Sequence, residues 1–124
     1  MDKAIAAIVL PQARGTSKAD GFAGHFIASD QCRFRLHHHV LSVAGHRYRV
    51  STVGAMTFER NGRLEVDRIG IGPDDYYETM VFAEDDEGEV MSWSELRIVR
   101  SADSTAATAA HYEVVAQYEQ GDAS

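Results

Sequence analysis

Three consecutive histidines, His37-His38-His39, are the residues here whose types most directly suggest chemistry. On a strand, His37 and His39 project to one face, and a His-X-His pair can offer two imidazoles to one metal ion. A third ligand would come from His46 across a hairpin, or from a carboxylate. The competing reading is a polar, solvent-facing strand beside Arg33 and Arg35. Cys32 could act as a nucleophile beside a histidine, but it alternates with Phe34 and Leu36 and reads as a small apolar core residue. Ser51, Thr52 and Ser92 lack the context of a nucleophile elbow, and Gly70-Ile71-Gly72-Pro73 lacks the third glycine of a phosphate loop.

Carboxylates form the second group. Asp74, Asp75 and Glu78 precede a run of acids from Glu84 to Glu89. Their spacing does not match a calcium loop, which alternates its ligands and adds a later glutamate. A solvated acidic loop is the plain reading. Tyr76 and Tyr77 beside the first group suggest more, because tyrosine gives an interface contact area at low entropic cost. The candidate partner-binding residues are therefore Asp74, Asp75, Tyr76, Tyr77, Glu84, Asp85, Asp86 and Glu87. Glu78 projects from an otherwise apolar strand, and His111 lies on the apolar stripe of a helix. They are candidates for a ligand site or for a polar core, in which Glu78 pairs with His111 or with an arginine.

The elements that must position these groups are mostly β. Cys32, Phe34, Leu36, His38 and Val40 alternate with Arg33, Arg35, His37 and His39. Ala44-Gly45 separates this run from His46 to Val53, which predicts a hairpin. Asn61-Gly62 predicts a type I′ turn between Met56–Arg60 and Arg63–Ile69. Tyr76 to Phe82 is the most strand-like segment, and Val90–Trp93 and Leu96–Val99 continue as strand. Asp103 or Ser104 caps a helix carrying Ala107, Ala110, His111, Val114 and Tyr118, which Gly121 ends. The expected fold is α+β: an antiparallel sheet of about five strands built from hairpins, packed by one C-terminal helix. Residues 1–24 are expected to form an apolar segment, Ala4 to Leu10, and a mobile loop. Residues 25–121 form one domain and 122–124 a frayed tail.

The whole chain has 124 residues, 12 basic and 19 acidic, a net charge of −7. The charge is divided. Residues 1–64 hold nine basic and four acidic residues, and residues 65–124 hold three and fifteen. Either the halves neutralise each other across one sheet, or an acidic face meets a basic partner. The sign disfavours a broad nucleic-acid surface. One cysteine excludes an intrachain disulfide framework and any multi-cysteine zinc site. No apolar run reaches membrane-helix length, and the start lacks the pattern of a secretory signal, so no membrane and a cytoplasmic setting are expected.

Three segments together carry a family likeness: Val50-Ser51-Thr52-Val53, then Tyr77 to Phe82 (YETMVF), then a helix with Ala107 followed by His111. They resemble a widespread group of small phage and prophage proteins of uncharacterised function, over roughly residues 46–118. The sequence departs from that pattern at Gly72-Pro73-Asp74-Asp75, where Gly-Pro-Pro is common, and at Ala110, where glycine is common. The first 45 residues, with the histidine triplet, and the Asn61-Gly62 hairpin lie outside it. The resemblance implies a viral or prophage origin and a host-cytoplasm setting, and supplies no catalytic mechanism. The expectation is an acidic protein-binding module without a cofactor. Its partner would be a host or defence-system protein with a basic surface, and an anti-CRISPR-like inhibitor is the sharpest form. Two rivals remain: a small enzyme or ligand- or metal-binding protein with a histidine-lined site at the sheet–helix junction, and a minor virion or morphogenesis protein. A homo-oligomer is a further possible partner state, and a stable one would favour the virion or morphogenesis reading over a monomeric inhibitor.

Overall fold

The computed structural model describes residues 15–19 and 32–121. The chain forms six strands, five of them on β-branched, aromatic and polar alternation and the first by pairing: β1 (Thr16–Ala19), β2 (Cys32–Leu41), β3 (Arg47–Arg60), β4 (Arg63–Asp67), β5 (Tyr77–Glu84) and β6 (Arg97–Ser101). One helix, α1 (Ser104–Glu119), follows. All pairings are antiparallel, in the order β1-β2-β3-β5-β6, with β4 paired to the far end of β3. The α+β fold with a C-terminal helix is as the sequence implies.

Local chemistry explains the turns. Asn61 and Gly62 both have positive φ, 54° and 76°, as a tight turn between β3 and β4 requires. Asp103 caps α1 by accepting a hydrogen bond from the Ala106 amide at 2.8 Å, and Gly121 with φ 137° follows its last turn. The carbonyl of Glu119 accepts from the amides of both Gly15 and Val43, tying the helix end to β1 and to the β2–β3 turn.

The helix covers one face of the sheet. Val40, Tyr48, Val50 and Val81 meet Val114, Val115 and Tyr118 in the main apolar cluster. Ala107 is fully buried, so the helix lies close to the strands there. The opposite face is buried as well, through Val53, Met80 and Phe82, with Trp93 of the β5–β6 connection packed edge-on to Phe82.

Three expectations are corrected. Thr16–Ala19, expected inside a mobile loop, is β1. Residues 47–60 are one strand of 14 residues, not two. Val90–Trp93 is not a strand: only an isolated bridge joins Val90 to Glu84. Ala4 to Leu10, His25 and residues 122–124 lie outside the described residues. Among those described, no helix is long and apolar enough to cross a membrane.

Candidate functional site

Period-two alternation sends His38 to the helix face and its two neighbours to the other. Nδ1 of His38 lies 2.8 Å from Nε2 of His111, whose Nδ1 lies 2.8 Å from Oγ1 of Thr52. Thr52 in turn meets Thr79 at 2.7 Å. Donation can run in either direction along this chain, and both directions need a neutral His111 that donates at one nitrogen and accepts at the other. Burial pushes the His111 imidazole down to about 3, with His38 and His37 adding to the effect. Burial also lowers His38, against the charge of Glu119. This is a satisfied polar insertion in an apolar core.

On the second face, His39 Nδ1 lies 2.6 Å from Oε2 of Glu84, and Arg49 Nε donates to the same oxygen at 3.0 Å. Arg49 also donates through Nη2 to the carbonyl of Gly88 at 2.9 Å. Glu84 was expected on a partner surface; it is instead a buried counter-ion, drawn in because it follows Phe82 on an inward face. His37 was expected to face solvent beside Arg33 and Arg35, yet it is only 3% exposed. His46 stands in the β2–β3 turn with its ring edge-on to Tyr48. Among the described residues no three His, Cys, Asp or Glu groups converge to hold a metal, so the trio His37, His39 and His46 is not assembled. Cys32 is buried, as its alternation implies.

At the start of β5, Asp75 is buried and its Oδ2 accepts from Arg100 Nε at 3.1 Å; Glu78 Oε2 lies 3.7 Å from the same nitrogen. Burial pushes the Glu78 carboxyl up to about 7, reinforced by its hydrogen bond to Asp75 and by the Asp75 charge, while Arg100 opposes. Glu78 thus pairs with an arginine. A Glu78–His111 pair does not form, because the β3–β5 register places Glu78 with Val53 and Thr79 with Thr52, on opposite faces. Tyr77 packs at 5.2 Å on Phe34 across Gly54. Asp74 remains exposed.

β5 separates the two acidic segments. Its eight residues place Tyr77 and Glu84 about 23 Å apart, so residues 74–78 and 84–89 do not form one continuous surface. What the second segment does form was only partly legible. Asp85 Oδ1 accepts from the amides of Glu87 and Glu89, the Met91 amide donates to Ala83 and the Leu96 amide to Val81. This pinned connection exposes Met91 (64%), Trp93 (45%) and Leu96 (56%). They stand among Asp85, Asp86, Glu87, Glu89 and Glu95, with no basic residue in the segment. Sequence reasoning missed Trp93 because it was assigned to a strand. It missed Arg49 and Arg100 because a cross-strand partner depends on register. It missed His38 as a polar participant because it was counted with its apolar face.

Compared with family models, curated proteins and solved structures, the chain matches none of them.

Proposed function

We propose that this chain is a protein-binding module that engages a basic partner through its β5–β6 connection. One observation carries the reading: three exposed apolar side chains, Met91, Trp93 and Leu96, stand among five carboxylates on a backbone fixed by internal hydrogen bonds. Aromatic anchors dominate binding energy in most interfaces, and a pre-ordered loop loses less entropy on binding. The carboxylates would steer a positively charged partner and reject a negative one. The resemblance to phage and prophage proteins supports a host protein as partner. In the sharpest form of the proposal, the loop occupies the basic nucleic-acid channel of a defence protein. The rival reading, a histidine-lined site at the sheet–helix junction, loses support because His37 and His39 face away from His111.

Affinity capture from a host lysate tests it, with Trp93→Ala, Met91→Ala and Glu95→Lys beside the parent and Asp74→Lys as the control at the other end of β5. Identification of the captured protein, then titration, should show a basic surface and at least a tenfold loss of affinity for Trp93→Ala, equivalent to about 1.4 kcal/mol. Asp74→Lys should bind as the parent does. Equal capture by all variants, with parent-like melting curves, would sink the proposal.

A further inference from the structure

The second face of the sheet carries, beside β1, an open cleft of about 670 Å³ that shares Asp86, Glu87 and Glu89 with the partner surface but none of its apolar anchors. Two charged sets form its walls: Lys18 of β1 and Arg47 of β3 come from the sheet, and Asp86, Glu87 and Glu89 come from the β5–β6 connection, with Arg49 and His39 also in the lining. The charges on the two walls do not satisfy each other. Neither Lys18 nor Arg47 forms an ion pair or side-chain hydrogen bond with a described residue, and neither do the carboxylates of Asp86, Glu87 and Glu89. The backbone of the acidic wall is held in place: Arg49 bonds the Gly88 carbonyl, and Asp85 accepts from the amides of Glu87 and Glu89.

This geometry selects a charge pattern. A simple anion attracted to Lys18 and Arg47 would meet three carboxylates, and a simple cation attracted to those would meet Lys18 and Arg47. A molecule with both signs, held apart by an uncharged spacer, satisfies both walls at once. The volume lies in the range that holds drug-sized ligands, the size of a peptide of about four residues. The hydroxyls of Thr16 and Ser17 line the same cleft and can bond to peptide groups between the charged ends. We propose that this cleft binds a short zwitterionic peptide, its carboxylate toward Lys18 and Arg47 and its ammonium toward Asp86, Glu87 and Glu89.

The test is a titration of the full chain with tetraglycine, followed by NMR at the backbone amides. The same titration is run with N-acetyl-tetraglycine, which keeps only the anion, and with tetraglycine amide, which keeps only the cation. The expected result is a saturable shift confined to β1, the start of β3 and residues 86–89. Each capped peptide should bind at least fivefold more weakly, and the parent affinity should fall with added salt. Lys18→Ala with Arg47→Ala, and separately Glu87→Lys, should each reduce binding, and both alter surface positions that leave the melting curve unchanged. Trp93→Ala should bind tetraglycine as the parent does, which separates this site from the apolar anchors of the partner surface. Absence of shifts up to the solubility of tetraglycine, equal binding of the capped peptides, or shifts mapping elsewhere would each overturn the proposal.

Discussion

At the residue scale, two buried titratable groups have opposite effects on stability. His111 has its pKa lowered to about 3, so its contribution is fully present above pH 6.5 and is lost as pH falls toward 3. The full shift corresponds to about 5 kcal/mol. Glu78 has its pKa raised to about 7 from 4.5, so its contribution is fully present below pH 4.5 and is lost as pH rises through 7. Between pH 4.5 and 6.5 the two slopes oppose each other, with the lowered His38 adding to that of His111. Chemical denaturation of the parent should therefore show a shallower rise in stability across that window than a variant without the Glu78 carboxyl. Glu78→Gln keeps a donor for Asp75 but cannot ionise. It should match the parent at pH 4, rise steadily in stability from pH 4.5 to 6.5, and exceed the parent at pH 8. Parallel curves for the two proteins would show that Glu78 is not the group responsible.

At the element scale, what the sequence made legible was what local geometry decides. Asn61-Gly62 can turn in few ways, and the alternation of Cys32 to Val40 needs no knowledge of a partner strand. Thr16–Ala19 was not legible because TSKA has no apolar alternation: its strand character comes from pairing with residues 38–41 of β2. Val90–Trp93 misled in the other direction: Trp93 packs edge-on to Phe82 from a loop, and Met91 stays exposed. The inward placement of Glu84 was available in principle, because it shares period two with Met80 and Phe82, but its stabilising partners required the register of β2 and β3. Gly54 was likewise unremarked in the sequence. Its φ is 155°, and an added Cβ would stand 2.3 Å from the Tyr76 carbonyl oxygen and 2.6 Å from Cδ2 of Tyr77. Gly54→Ala should therefore destabilise the protein by about 3 kcal/mol in urea unfolding. A loss below about 0.5 kcal/mol would mean that β5 moves aside without cost.

At the scale of the whole molecule, the opposing charges of the two halves meet inside the fold as well as on its surface. Arg49 from the basic half neutralises Glu84 from the acidic half, and His39 bonds the same carboxylate oxygen, which supports the neutralising account of the charge division. Asp75, Glu78 and Glu119 of the acidic half are buried as well, whereas Asp86, Glu87, Glu89 and Glu95 stay outside on the pinned connection that carries Trp93. One short sequence thus gives a sheet buried on both faces, with polar pairs built into each side, and leaves the exposed loops to carry recognition.

The doubly used carbonyl of Glu119 has a dynamic consequence. Three parts of the chain, at Gly15, Val43 and the last turn of α1, share one acceptor. Opening of the last helical turn removes the acceptor from both amides at once, so where that opening dominates exchange the three should behave as one cooperative unit. Deuterium exchange should give the amides of Gly15 and Val43 a common opening free energy. Tyr118→Ala, which loosens that turn, should speed both equally and leave the Asn61-Gly62 hairpin unchanged. Independent rates would show that the strand and the turn fray separately. A common rate would make residues far apart in sequence the first to leave the native state together, and the last to return to it.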